Sequence, residues 1–507
     1  MKNRWKIFLS NALILSVVNI VMRAIGVSFN AYITNKIGAE SMGLFTLVMS
    51  VYGFAVTVAL SCVNLGAVRL TSERSALLEG CDKESWKKSM RQVIRSVVIY
   101  STIFGVTTGI ILFISADFLA LRVLSDTRTA SSLKVLALSL PAISISSGIS
   151  GYFTGLRKVT KNAIVSVSEQ FIKIIVTSTA LVLIVPGNVE SACLAVVGGS
   201  AIAEAWSLIV NLLMYLTDSG RPVGVILGKA KKILKTKLKD TVDISLPSAV
   251  GTYARQGLTT LEHLAIPKGM QRGGIPKETA LAHYGLMQGI AFPIVMFPYS
   301  VIGSFTALLV PEIAGNRELN NTKGIREITE DVYKYSAIFS MCVCGIFANF
   351  SSELGSMVFK STEASTYTFL LGLLVPFMYL DTAVDSLLKG MGEQVYTMKV
   401  NIFDSASGLM LVMITTPLLG IYGYILTICL CEIGNLTASI YKLGKVTGVG
   451  AKIAVKYYIS PLISVVIMSI INVLIVKFNP ISRIVIYVAG YTLLYNVITR
   501  KKIENKY

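Results

Sequence analysis

Three cations stand in apolar runs of this chain where charge is costly: Arg23, midway along Ile7–Ile33, and Lys173 and Arg255 in two later runs. An arginine at the centre of a membrane helix costs about 2.5–3.5 kcal/mol on insertion scales, and is retained where it faces a cavity or a partner. A guanidinium offers planar, bidentate donors to phosphate and stays charged throughout. Together these cations point to an anionic cargo crossing a membrane. The competing account is structural neutralisation, by Glu262 or Asp381 for the two arginines and by Glu169, one helical turn away, for Lys173.

The acids within or at the edges of apolar runs are Glu169, Glu204, Asp243, Glu262, Asp381, Asp385, Asp404 and Glu432. Asp381, Asp385 and Lys389 repeat at i, i+4 and i+8 and so share one helix face. That pair of carboxylates could bind a coupling cation or proton, or bridge to Arg255. The alternative is that Asp385 only pairs with Lys389. His263 and His283 flank one outer loop and are expected at the surface. Cys342/Cys344 and Cys429/Cys431 are two apart and point to opposite faces of a helix, which makes them poor metal clips; packing is their expected role. No Gly-x-x-x-x-Gly-Lys-Ser/Thr phosphate loop occurs, and no catalytic residue, metal or cofactor is indicated.

The elements that carry these residues follow from composition. Of 507 residues, 53% are hydrophobic and only 15% charged, with a mean hydropathy of +0.66; soluble domains are typically about 25% charged. Runs of about 20 apolar residues, the length of a span, recur about fourteen times. The first and seventh are the least apolar. With loops numbered alternately, 34 of the 47 Lys and Arg fall on one side of the membrane, ten on the other and three within spans. Cytoplasmic loops carry the basic excess, so both termini are expected inside. The formal charge of +19 is mostly this bias. It includes Lys229, Lys231, Lys232, Lys235, Lys237 and Lys239, an amphipathic stretch suited to anionic membrane lipid. No base-reading or stacking element accompanies it, which excludes nucleic acid as a partner.

The longest polar interruption, 217–240, separates six spans from eight. An offset of 235 residues matches Pro141 to Pro376, Gly155 to Gly390 and Glu169 to Asp404. The expected plan is a lobe over 1–216, a basic cytoplasmic linker over 217–240, a second six-helix lobe over 241–441, and two further helices with a basic tail over 442–507. Internal repeats are the common plan of secondary transporters.

Several segments resemble the signatures of polysaccharide and lipid-linked oligosaccharide flippases. RAIGVSFNAYITNKIGAESMGLFTLV from Arg23 is similar to the family's first helix, with Gly38 to Gly43 leading into the second. Gly151-Tyr152-Phe153-Thr154-Gly155 is similar to the end of its fourth helix. Leu309-Val310-Pro311-Glu312-Ile313 and Lys389-Gly390-Met391-Gly392 are similar to the ends of its eighth and tenth. The order of the motifs carries the resemblance, which lies within the multidrug/oligosaccharidyl-lipid/polysaccharide superfamily and its stage V sporulation protein B-like branch. It implies an all-α polytopic membrane protein of the bacterial cell membrane. Two six-helix lobes would form a V around a central cavity, with two C-terminal helices grooved for a lipid tail. The implied activity is alternating-access movement of an undecaprenyl-pyrophosphate-linked saccharide, such as a polysaccharide repeat unit or lipid II. Arg23, Arg255 and Lys173 would bind cargo, and Asp381, Asp385 and Glu262 would couple ions or form cavity ion pairs. Glycosyltransferases or wall-synthesis enzymes would be its partners. A multidrug/cation antiporter of the same superfamily is the alternative. A membrane-embedded polymerase or ligase ranks third, because the longest outer loop, 266–282, is poor in acids.

Overall fold

A computed structural model describes residues 2–77, 83–183, 189–218, 238–359, 362–474 and 479–504. Of the basic linker, Lys229, Lys231, Lys232, Lys235 and Lys237 lie outside the described residues. The helices in chain order are α1 (Lys2–Ile37), α2 (Ala39–Leu60), α3 (Val63–Leu77), α4 (Lys83–Phe118), α5 (Ala130–Gly155), α6 (Val159–Leu183), α7 (Val189–Leu216) and α8 (Leu238–Arg272). They continue as α9 (Lys277–Leu286), α10 (Phe292–Glu318), α11 (Thr322–Phe359), α12 (Thr362–Gly390), α13 (Gln394–Leu419), α14 (Ile421–Thr447), α15 (Ala451–Leu474) and α16 (Pro480–Glu504). No strand occurs among the described residues. In hydrocarbon every backbone polar group needs an internal partner, which selects helices.

Twelve stretches among the described residues are long and apolar enough to cross a membrane, against about fourteen expected. The two long helices outside that set, α1 and α8, occupy the expected first and seventh spans. The apolar part of α1 from 7 to 19 precedes the residues whose side chains are described. The middle of α8 is diluted by Ser245, Ser248, Thr252, Gln256, Thr259 and Thr260. One further expectation is corrected. Most of the supposed outer loop 266–282 is helix, because α8 runs on to Arg272 and α9 begins at Lys277.

The chain divides into two compact units, Met1–Met22 with Lys36–Leu264, and Arg23–Asn35 with Ala265–Tyr507. In the first, the second span breaks between α2 and α3, where Ser61 (φ 41°) and Cys62 (φ 55°) are both left-handed. Side chains from other helices satisfy the carbonyls at the break: Ser144 Oγ donates to Ala59 O (2.8 Å) and Tyr100 Oη to Ser61 O (3.0 Å). Ser61 Oγ also bonds Tyr253 of α8, and Thr260 Oγ1 donates to Ser50 O at 3.2 Å. In the second unit, α15 and α16 pack on α11 through Phe350, Val465, Met468, Tyr487 and Tyr491. Arg483, only 7% exposed, closes that contact. It pairs with Glu353 at 2.9 Å, donates twice to Asn472 Oδ1, and lies 5.2 Å from the Phe350 ring centre.

The 235-residue repeat holds as backbone geometry. Shifted by that offset, α5 and α12 end on the same residue, Gly155 and Gly390, and α6 and α13 begin on the same residue. The turn between them is matched bond for bond. Lys158 N donates to Phe153 O and Glu393 N to Leu388 O, both at 2.9 Å. Leu156 N donates to Tyr152 O, and Met391 N to Leu387 O. Arg157 (φ 61°) and Gly392 (φ 80°) supply the same left-handed residue. A Cβ on Gly155 would meet Thr71 Cβ at 2.7 Å, and one on Gly390 would meet Ile313 Cβ at 2.8 Å. Each glycine therefore lets its helix end press against an earlier helix of its own unit. The equivalent residues Lys158 and Glu393, of opposite sign, each form an ion pair beside the turn with partners that the offset does not match: Lys158–Asp218 at 2.7 Å in one unit, Glu393–Lys442 at 2.9 Å in the other.

Candidate functional site

Each unit holds a polar cluster on the three helices that follow its repeat motif. In the second unit these are α12, α13 and α14. Asp381 and Asp385 are each 9% exposed. Asn435 Nδ2 donates to Asp381 Oδ2 at 3.2 Å, and Asn401 Nδ2 to Asp385 Oδ2 at 3.3 Å. Lys389 Nζ stands 3.5 Å from Asp385 Oδ2. The charges of Glu432, Asp385 and Asp404 all act on Asp381. Asp381 Oδ1, Asp385 Oδ1 and Asn435 Oδ1 are buried and accept no hydrogen bond. Among the described residues Lys389 thus stands against Asp385, beside the charges of Asp381, Asp404 and Glu432. The shared face is as the spacing requires, and the pair Asp385–Lys389 forms as well. Gathering like charges away from water is unfavourable unless cations enter.

In the first unit the matching helices are α5, α6 and α7. The offset sets Ser146 against Asp381, Ser150 against Asp385, Glu169 against Asp404 and Lys173 against Gly408. Asn211 Nδ2 donates to Ser146 Oγ (2.7 Å) and Ser150 Oγ (3.5 Å), while Ser146 and Ser207 hydroxyls lie 3.2 Å apart. Ser207 also bonds Glu169. The charges of Glu204 and Glu169 both act on Lys173, and both reach Tyr52, whose hydroxyl meets Ser139 Oγ at 2.7 Å. Lys173 is half-buried.

The remaining expected residues are placed apart from these clusters. Arg255, on α8, is exposed and belongs to the first unit. Tyr253 and Thr260 hold α8 against α2, and Arg255 falls off that contact face. Arg23 is exposed and belongs to the second unit, where its charge acts on Tyr379, two residues before Asp381. Among the described residues neither arginine makes an ion pair, with Glu262, Asp381 or any other acid. Glu262 is half-buried in the first unit. His283 is not a surface residue. It is half-buried, with Nδ1 2.7 Å from Tyr367 Oη. The six described cysteines are free thiols. Among the described residues no three His, Cys, Asp or Glu side chains converge as metal ligands. Asn401, Asn435, Ser146, Ser150, Ser207, Asn211 and Arg483 were not evident from the sequence; the 235-residue offset, applied to Asp381 and Asp385, would have found Ser146 and Ser150.

The helix order and the duplicated turn define a class: an all-helical, polytopic membrane protein built from a repeat. The sequence profile of the polysaccharide biosynthesis protein family matches residues 8–315, and the chain belongs to that family. It is 22% identical over 423 residues to stage V sporulation protein B of Bacillus subtilis (strain 168), spanning 83% of this chain and 80% of the relative. Sporulation protein YkvU of the same organism is 19% identical, spanning 76% and 83%. Among solved structures, lipid II flippase MurJ in an inward closed conformation matches with TM-score 0.66 at 13% identity, covering 97% of this chain and all of that one. An inward-facing multidrug resistance MATE family transporter matches with TM-score 0.64 at 14% identity, covering 86% of this chain and all of that one.

Proposed function

We propose that this protein moves an undecaprenyl-pyrophosphate-linked saccharide from the inner to the outer leaflet of the bacterial cell membrane by alternating access. The observation that carries this reading is the pair of exposed arginines, Arg23 and Arg255, whose charge no acid answers among the described residues. A cation left unpaired in a membrane helix is costly, and a pyrophosphate is an anion that a guanidinium fork can grip. Lys173 belongs instead with Glu169 and Glu204, whose charges act on it. Asp381 and Asp385 serve as the ion-coupling acids, with Glu262 as a lesser member of that set.

A multidrug antiporter is the second reading, favoured by the match to the MATE transporter over 86% of the chain. The flippase reading is preferred because the MurJ likeness extends over 97%. The deciding experiment is reconstitution of the full chain in proteoliposomes with lipid II and, separately, a polyprenyl-pyrophosphate repeat unit. Arg23→Ala and Arg255→Ala should each abolish flipping with protein levels near wild type. Lysine at either position should restore it only in part, because the bidentate geometry is lost. Export of organic cations with no movement of either lipid would favour the antiporter.

A further inference from the structure

Within the first unit, the part of α8 up to Leu264 has three distinct faces. Ser245, Tyr253, Gln256 and Thr260 form the seat against α2 and α3. Tyr253 bonds Ser61, and Thr260 donates to Ser50 O. A Cβ on Gly53 would lie 3.7 Å from Gln256 Nε2, and Ser245 fills the space that a Cβ on Gly66 would need. Val250 and Leu261 are exposed and make an apolar face fit for lipid. The third face, opposite them, is polar. Ser248, Thr252, Arg255 and Thr259 recur at i, i+4, i+7 and i+11, which aligns them in one stripe. Ser248, Thr252 and Arg255 are exposed, and Thr259 is half-buried.

An exposed polar stripe is unfavourable against hydrocarbon and is kept where it fronts water or a polar ligand. We propose that Ser248, Thr252 and Thr259 bind the saccharide of the lipid-linked cargo, on either side of a pyrophosphate held at Arg255. The inference rests on the flippase reading above and deepens it. Two of the hydroxyls are already turned to accept: Thr252 Oγ1 donates to Ser248 O at 3.2 Å, and Ser248 Oγ to Ile244 O at 3.4 Å. Each bond uses the hydroxyl's one proton and leaves its oxygen lone pairs free. Sugar hydroxyls can donate to them there. The charge pattern suits the same cargo. The next charged residue on this face is Glu262, seven residues past Arg255 and about 10 Å along the axis. A phosphate at Arg255 therefore meets no carboxylate of its own face, and an organic cation at that place would meet a guanidinium. Neutral hydroxyls around one cation match a neutral sugar joined to an anion.

The test uses the full chain in proteoliposomes, with lipid II and a polyprenyl-pyrophosphate repeat unit as cargoes and sugar-free undecaprenyl pyrophosphate as the control. In a background lacking the seven native cysteines, Ser248→Cys and Thr259→Cys should react with a charged methanethiosulfonate, whereas Val250→Cys and Leu261→Cys should not. The cargo that wild type moves should suppress the reaction at both stripe positions, and undecaprenyl pyrophosphate at the same concentration should leave it unchanged. Ser248→Ala/Thr252→Ala/Thr259→Ala should raise the half-saturating cargo concentration about tenfold or more at an unchanged maximal rate. If that triple variant does not fold, the single cysteine variants still decide the matter. Equal suppression by undecaprenyl pyrophosphate, or reaction on the apolar face in place of the stripe, overturns the saccharide contact while wild type still flips its cargo. Movement of neither lipid by wild type overturns the flippase reading, and this inference with it.

Discussion

Asp381 and Arg157 are residues whose local chemistry makes sharp demands. Asp381 is buried, holds one amide bond from Asn435, and faces three other acids. On the flippase reading proposed above, outward movement of a dianionic cargo is already favoured by an inside-negative potential, by about 2.3 kcal/mol per charge per 100 mV. The return of the emptied carrier is then the step that gains from a bound proton. Asp381→Asn should slow turnover in multiple-round flipping while leaving cargo affinity unchanged; equal turnover across pH gradients would leave the potential as sole driver. Arg157 holds a left-handed φ of 61° where its counterpart is Gly392. Arg157→Gly should therefore be neutral to stabilising. Gly392→Ala should cost about 1–2 kcal/mol, and more because the added Cβ would run into the Arg317 guanidinium; thermal melting in detergent reads both. The i, i+4, i+8 spacing made the Asp381 face legible in sequence. The amides that orient the acids, Asn401 and Asn435, sit on other helices at no periodic distance, so they emerge only once the helices are packed.

At the scale of elements, the repeat explains why some helices were easier to read than others. The α5–α6 and α12–α13 hairpins carry a proline, a helix-ending glycine and a basic or polar turn, and those marks locate both hairpins in sequence. The break between α2 and α3 carries no such mark, because Ser61 and Cys62 take left-handed conformations that glycine would ordinarily signal. Tertiary contacts from Tyr100, Ser144 and Tyr253 stabilise the freed backbone there, and contacts of that kind leave no local pattern. The attachment of α15 and α16 was likewise hidden. Nothing in the sequence sets the arginine near the start of α16 apart, yet Arg483 is buried against Glu353, Asn472 and Phe350. Removing one partner of a buried pair strands the other charge, at about 3–5 kcal/mol. Glu353→Ala should lower the melting temperature and loosen α15–α16 in hydrogen exchange. Glu353→Ala combined with Arg483→Met should recover most of the loss.

For the whole molecule, the same charge asymmetry that locates the loops also predicts its orientation in the membrane, and on the flippase reading the transport direction depends on it. Burying apolar helices in hydrocarbon is indifferent to polarity, whereas translocating lysine and arginine is not. By the 34-to-10 partition the turn at Asn320, between α10 and α11, is expected on the cytoplasmic side, and the turn at Gly420, between α13 and α14, outside. Both turns are exposed to reagent at their flanks, through Leu319 at 80% and Leu419 at 51%. In a background lacking the seven native cysteines, Leu419→Cys should react with a membrane-impermeant maleimide in intact cells. Asn320→Cys should be protected until the membrane is opened. The reverse pattern would invert the protein in the membrane. Lys389 and the Asp385 end of the acid cluster would then face outward, and a proton would load at the wrong phase of the cycle for a flippase driven outward by the potential.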